Sequence, residues 1–146
     1  MLSFGATKNG ALAAEAVVFF KPELARSFAF RRKRAGHLFS KMRFLSAQFD
    51  AYLEGGLWLR LATHANAMAD RLAAGLAALP GADLRDPVEA NEIFISLPEP
   101  VTAGLLERGY AFYRWDGPVV RLVTAWNTSA EDVDRMIADA RALAKA

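Results

Sequence analysis

The feature that most constrains the fold is a series of apolar residues that recur every three or four positions between residues 57 and 79. Its members are Leu57, Leu61, Ala65, Met68, Leu72, Leu76 and Leu79. These steps place all of the side chains on one face of an α-helix of about six turns. Pro80 and Gly81 follow directly and predict where the helix ends. A helix with one apolar face needs a second layer to pack against.

The second half of the chain contains strand patterns that can form this layer. The alternation in residues 92–97 puts Ile93, Ile95 and Leu97 on one face of a strand. Two further predicted strands, residues 110–115 and 119–126, are joined by a turn at Asp116-Gly117-Pro118.

Polar residues predict where the helices of this half begin. Thr102 is a candidate cap for a short helix that ends at Gly109. Thr128 and Glu131 have the spacing of a capping box, followed by a final amphipathic helix. The expected fold class is α+β, with a small, largely antiparallel sheet covered by helices.

One predicted strand, residues 14–20, has no obvious partner next to it in the sequence. A strand needs a neighbour for its backbone hydrogen-bonding groups. It therefore joins either the later sheet or a sheet outside this chain.

Composition excludes several classes of site. The 146 residues include no cysteine and only two histidines, which argues against a zinc, iron–sulfur or histidine-rich metal site. No apolar run approaches the roughly 18–20 residues of a membrane span, and the N-terminus lacks the pattern of a secretory signal. We therefore expect a cytoplasmic protein with no metal and no membrane partner.

Basic residues are concentrated in residues 21–43, which hold eight Lys or Arg against one acid, Glu23. This segment carries +7 and the remainder −5, for a total of +2. Such a segment can meet nucleic acid, an anionic membrane or a phosphate-bearing small molecule, or it can be a solvated helix face. Its aromatic residues do not form a stacking platform, so nucleic acid is not an expected partner.

Two residues stand out as candidates for chemistry. Lys8 lies in a loop of small residues, where the glycines allow close approach to a ligand, but the loop lacks the order of a P-loop. Taken alone, the pattern favours an ordinary surface lysine at position 8. Arg121 shares a strand face with Val119 and Val123, where a guanidinium needs an anion. Arg121 therefore either binds a ligand carboxylate, or is an edge-strand arginine that points to solvent or pairs with an acid of the chain such as Asp116.

Several segments, taken together and in order, resemble the low-specificity L-threonine aldolases. These enzymes belong to the β-eliminating lyases among the fold-type I pyridoxal-phosphate enzymes. The segments are LSFGATKNG (2–10), EAVVFF (15–20), KRAGHLFSKMRF (33–44), Gln48, WLRLATHANAM (58–68), ANEIF (90–94), YRW (113–115) and VRLVTAW (120–126).

This resemblance implies a lyase that uses pyridoxal 5'-phosphate to cleave β-hydroxy-α-amino acids, such as threonine, to glycine and an aldehyde. Lys8 matches the lysine that binds the cofactor covalently, and the cofactor acts as the electron sink. Arg121 matches the arginine that binds the substrate carboxylate. Arg43 matches a basic position that in the family's dimers can lie near the cofactor phosphate, of its own or of the neighbouring subunit, although its surroundings lack the glycines found in other branches of the family.

The resemblance also implies that the chain is the C-terminal part of such an enzyme. Residues 1–30 are expected to be a remnant of the large cofactor-binding domain, and residues 31–146 to be the small α+β domain. The unpartnered strand would then belong to an absent parallel sheet. The expected partners are an amino-acid substrate and either further copies of the chain or a missing large domain. The alternative is a non-catalytic remnant that self-associates through exposed apolar surface.

Overall fold

The computed structural model describes residues 1–145, which form two compact units. The first unit comprises Met1–Arg60 and the second begins at Leu61. The predicted boundary after residue 30 separates a remnant of the large domain from the small domain. It says which domain of a longer enzyme each segment corresponds to, not how the segments pack, and it stays a prediction.

The first unit begins with a β-hairpin. Strands β1 (Leu2–Gly5) and β2 (Glu15–Val18) pair antiparallel, with Leu2 opposite Val18 and Gly5 opposite Glu15. The predicted strand is therefore present, but the expectation that it lacks a sequential partner is wrong. The partner was missed because Leu2–Gly5 has no β-branched residue and includes a glycine. A hairpin still leaves an outer edge on each strand, so pairing with a further sheet stays a prediction.

Helices follow the hairpin in the first unit. These are α1 (Phe28–Arg34), α2 (Arg43–Leu53) and the start of α3 (Leu57–Ala77). The ring of Phe4 in β1 packs against three aromatic rings, with centroid distances of 5.8 Å to Phe49, 6.3 Å to Tyr52 and 5.9 Å to Trp58. This aromatic cluster fixes the hairpin against α2 and the first turn of α3.

The second unit is built on one four-stranded antiparallel sheet. Its strands are β3 (Asp83–Leu84), β4 (Glu92–Ser96), β5 (Tyr113–Asp116) and β6 (Val119–Val123), in the spatial order β3-β4-β6-β5. The predicted α+β class with an antiparallel sheet is confirmed. Only β3 was not predicted, because two residues are too short to show a pattern.

One face of this sheet packs on helices and the other is open. Ile93 and Ile95 of β4, and Val120 and Leu122 of β6, are at most 3% exposed and form the core with the apolar face of α3. On the open face, Tyr113, Trp115 and Val123 are all more than half exposed. The predicted alternation of β4 and the predicted apolar stripe of α3 thus account for the buried layer.

The remaining helices are α4 (Glu99–Glu107) and α5 (Ala130–Leu143), and their predicted caps were wrong. Thr102 lies inside α4, which begins directly after Pro98, and is buried rather than capping. Ser129 caps α5, where its Oγ accepts a hydrogen bond from the backbone N of Asp132 at 3.0 Å. Thr128, one residue earlier, accepts instead from the backbone N of Ala125.

Within residues 1–145, no helix is both long and apolar enough to cross a membrane.

Candidate functional site

Lys8 lies at the centre of a tight turn between the two strands of the hairpin. Thr7–Asn9 form a single 3-10 turn, and Gly10 follows with a φ of 104°, which is in the left-handed region that favours glycine. The Lys8 side chain is exposed, and its amine has no hydrogen-bond or ion-pair partner in the described part of the chain. The amine is therefore accessible from solvent.

Asn9 ties this turn to the helices of the first unit. Its side-chain amide donates to Tyr52 Oη at 2.5 Å and to the backbone carbonyl of Trp58 at 3.1 Å. Tyr52 is only 5% exposed, so the acceptor is part of the packed aromatic cluster. The residue next to Lys8 is thus fixed at its side chain as well as at its backbone.

The chain that returns from the turn is held by α2 and by the hairpin itself. Gln48 Oε1 accepts hydrogen bonds from the backbone N of Leu12 and of Ala13, at 3.0 and 3.2 Å. Thr7 Oγ1 donates to Glu15 Oε1 at 2.8 Å. Lys8 is therefore an exposed side chain on a backbone that long-range hydrogen bonds hold in place.

Arg121 lies on the open face of the second unit's sheet and is paired with Glu92. Its Nε donates to Glu92 Oε1 at 2.8 Å, and its Nη2 donates to the same oxygen. The Arg121 side chain is 28% exposed and that of Glu92 is 41% exposed. Asp116, the acid suggested by the sequence, lies instead 3.8 Å from Arg85.

The sequence did not identify Glu92 as the partner of Arg121, because the register between β4 and β6 decides which residues are neighbours. Glu92 lies opposite Val123, and Arg121 lies opposite Phe94, so the charged pair is diagonal across β4 and β6. Diagonal neighbours on one sheet face are within reach of long side chains. Sequence alternation could have placed both residues on one face only after the two strands had been aligned.

Arg43 is the first residue of α2 and is exposed. Its guanidinium carbon lies 4.6 Å from the ring centroid of Phe44, which is a cation–π distance. Arg43 and Lys8 lie in the first unit, and Arg121 lies in the second.

A cavity of about 760 Å³ opens in the first unit. Its lining is mainly apolar, with Phe28 and Phe49 among the contributors, and it also includes Arg31, Arg32 and His37. The cavity borders the Lys8 turn through Thr7, although Lys8 itself does not line it. In residues 1–145, no group of three His, Asp or Glu side chains is arranged to hold a metal ion.

The structure matches that of a threonine aldolase from Leishmania major, with a TM-score of 0.90 and 28% identity. The match covers 97% of this chain and 42% of that one. The fold is therefore that of part of a fold-type I pyridoxal-phosphate enzyme.

The sequence narrows the similarity to the low-specificity L-threonine aldolases, and the predicted resemblance is confirmed. The chain is 44% identical to the enzyme of that name from a Pseudomonas species, over 100% of this chain and 42% of the relative. It is also 44% identical to the enzyme from Pseudomonas aeruginosa, over 97% of this chain and 41% of the relative. No protein-family model matches the sequence.

The chain thus spans about two fifths of the length of the curated relatives that it matches.

Proposed function

We propose that this chain supplies the cofactor-binding lysine and the substrate-binding arginine of a carbon–carbon lyase dependent on pyridoxal 5'-phosphate. The reaction is the cleavage of threonine-like β-hydroxy-α-amino acids to glycine and an aldehyde. The observation that carries this proposal is the 44% identity, over the whole chain, to a low-specificity L-threonine aldolase. The geometry of the Lys8 turn supports it independently.

The residues present fit the part of the cofactor site that the resemblance assigns to them. Lys8 offers an exposed amine with no partner in residues 1–145, on a turn fixed by Asn9 and Gln48. Arg43 offers an exposed cation for a phosphate group. Lys8 Nζ would hold the cofactor through its aldehyde, and Arg43 would neutralise phosphate charge.

When bound, pyridoxal phosphate supplies an electron sink for the bond that breaks at the substrate Cα. Arg121 binds the substrate carboxylate, because a planar guanidinium fork pairs with two carboxylate oxygens. Fixing the carboxylate limits rotation about the substrate Cα, and this selects which of its bonds is aligned to break. The protein atoms that complete the cofactor site lie outside these 146 residues, in keeping with the fraction of the relatives that is matched.

The experiment is a chimera in which this chain replaces the matching segment of the Pseudomonas enzyme. We expect cleavage of threonine to glycine and acetaldehyde, and a cofactor adduct on Lys8 after borohydride reduction, located by mass spectrometry. Lys8→Ala should abolish both, whereas Lys21→Ala, which removes another exposed lysine, should change neither. A folded chimera that has neither activity nor an adduct on Lys8 contradicts the proposal.

The role of Arg121 has its own measurement. Arg121→Ala in the chimera should weaken glycine binding by about 1.5–3 kcal/mol, the value of a charged hydrogen-bonded pair, or about 10- to 150-fold. Equal glycine affinities of the variant and the parent would rule out the carboxylate role.

A second candidate, a non-catalytic and self-associating remnant, is favoured by the apolar surface of the first unit. Phe20, Phe30 and Phe44 are each more than half exposed there. Two measurements together separate the candidates: sedimentation of the chain alone tests self-association, and borohydride reduction of the chimera tests for a cofactor adduct. Concentration-dependent oligomers of the chain, together with a folded chimera that carries no adduct on Lys8, support the remnant, whereas a Lys8 adduct in the chimera supports the aldolase.

A further inference from the structure

The hydrogen bonds of Arg121 occupy only one edge of its guanidinium. The side edge, formed by Nε and Nη2, donates both of its hydrogen bonds to the single oxygen Oε1 of Glu92. Nη1 has no partner among residues 1–145, and it is not one of the buried polar atoms that lack a hydrogen bond. The end edge, formed by Nη1 and Nη2, is therefore accessible to an external acceptor.

Aromatic residues flank Arg121 on both neighbouring strands. Phe94 of β4 and Tyr113 of β5 lie directly opposite Arg121 on either side. Tyr113 is 71% exposed, so most of this flanking side chain is in contact with solvent. A ligand that approaches this face meets a guanidinium between two aromatic residues.

We infer that Glu92 is a positioning residue that holds Arg121 by its side edge and presents the end edge to the carboxylate of the substrate. This inference rests on the proposed function. It adds a residue that neither the sequence pattern nor the resemblance assigned. Because a free arginine side chain samples many rotamers, a guanidinium that is already fixed loses less conformational freedom when a ligand binds.

Glu92 has a second, opposing effect, since its negative charge lies beside the site of another carboxylate. Like charges at short distance repel, and the repulsion weakens binding of the substrate. The two effects can be separated by substitution. Glu92→Gln keeps an oxygen that accepts from Arg121 and removes the charge, whereas Glu92→Ala removes both.

The experiment measures glycine affinity in the cofactor-loaded chimera. We expect Glu92→Ala to weaken binding about 10-fold, through loss of a charged hydrogen-bonded pair. Glu92→Gln should instead bind glycine as tightly as the parent or up to about 5-fold more tightly, the effect of one unit charge near 4 Å in water. Glu89→Gln removes an exposed acid nearby and should leave the affinity unchanged. If the role of Glu92 were purely structural, the Gln and Ala variants would change the glycine affinity in the same direction.

A second measurement needs no activity and uses the chain itself. The Nε–H resonance of Arg121, observed by NMR in the 15N-labelled chain, should be protected from exchange in the parent and in Glu92→Gln. It should lose that protection in Glu92→Ala. Protection that is equal in all three proteins overturns the inference.

The outcomes also distinguish this inference from the proposed function. If Arg121→Ala weakens glycine binding and Glu92→Ala does not, the carboxylate role of Arg121 stands and the positioning role of Glu92 falls. If Arg121→Ala has no effect on glycine binding, both fall.

Discussion

The side chain of Asn9, next to the candidate cofactor lysine, is hydrogen-bonded to the hydroxyl of Tyr52, which lies 43 residues further along the chain. The contact joins a loop of small, turn-prone residues to the aromatic cluster around Phe4, of which Tyr52 is the buried member. Two groups therefore hold the Lys8 turn against the helices, the Asn9 amide and the Gln48 carbonyl oxygen.

We predict that Asn9→Ala destabilises the chain by about 1–3 kcal/mol, because the buried Tyr52 hydroxyl loses its partner. Tyr52→Phe should cost less, about 1 kcal/mol, since Asn9 keeps its bond to the Trp58 carbonyl. Urea unfolding measures both. Asn66→Ala, at an exposed position of α3, is the control and should cause no loss. An Asn9→Ala chain as stable as the parent would show that the contact contributes nothing.

Two buried threonines should respond in opposite directions to the same substitution. Thr102 Oγ1 is buried in α4 without a hydrogen-bond partner in the described residues, whereas Thr124 Oγ1 donates to the carbonyl of Ala65 at 2.7 Å. Thr102→Val should keep or raise the free energy of unfolding, by up to about 1 kcal/mol, because it removes an unsatisfied polar group. Thr124→Val should lower it by about 1 kcal/mol. Equal changes in thermal stability for Thr102→Val and Thr124→Val would contradict the difference in hydrogen bonding between the two threonines.

Gly75 marks a close approach between α3 and α5. A Cβ atom at this position would lie 2.3 Å from Ile137 Cδ1 and 2.7 Å from its Cγ1. Gly75→Ala should therefore destabilise the second unit, since overpacking costs about 1–3 kcal/mol and outweighs the gain of up to about 1 kcal/mol in helix propensity. Ala74→Gly, at an exposed position of the same helix, measures the difference in helix propensity between alanine and glycine.

The clash at Gly75 can be tested by a double-mutant cycle. Ile137→Ala alone should cost about 2–5 kcal/mol, because it leaves a cavity. In combination with Gly75→Ala the total loss should be smaller than the sum, since the new methyl group then has space. Strict additivity would show that the two residues do not compete for the same volume.

Low pH should lower the free energy of unfolding of the second unit, because the Asp139 carboxylate becomes protonated. The hydrogen bond from Tyr110 Oη, 2.7 Å away, and the nearby Arg108 guanidinium hold the pKa of the Asp139 carboxyl below its usual range. A carboxyl whose pKa is lower in the folded state stabilises the fold above its unfolded pKa, about 3.9. That contribution is lost as the pH falls from there through the folded value.

The test compares urea midpoints at neutral pH and at about pH 3, below the unfolded carboxyl pKa. Asp139→Asn should be less stable than the parent at neutral pH, and the difference should shrink in acid. The matched control is Asp70→Asn, which changes an exposed acid on α3. Its urea midpoints at the two pH values should differ by as much as those of the parent. A difference for Asp139→Asn that does not change with pH would exclude this role.

Periodicity predicted the parts of the fold in which a regular element buries one face. The apolar stripe of α3 and the alternation of β4 appear where the sequence put them, because burial repeats with the period of the backbone. Strand β1 and the cap at Ser129 were missed. The strand has little intrinsic preference of its own, and the choice between Thr128 and Ser129 depends on the backbone angles of a single residue.

The candidate site was less accessible to sequence reasoning. Lys8 and Arg121 stand out from their sequence context, the resemblance gives roles to both and to Arg43, and all three roles stay proposals. The groups that hold the Lys8 turn and Arg121 in place, Tyr52 and Glu92, come from other elements of the fold. Pairings of this kind depend on tertiary packing or strand register, neither of which leaves a local pattern.

The pairing of Arg121 with Glu92 means that the sheet carries its own counter-ion. Without Glu92, the partly exposed guanidinium would have only water or a bound anion to accept the hydrogen bonds of its side edge. With this acid in place, the charge of Arg121 is paired whether or not a ligand is bound. A substrate would then be bound by a surface that is already electrically balanced, and its departure would leave no uncompensated charge behind.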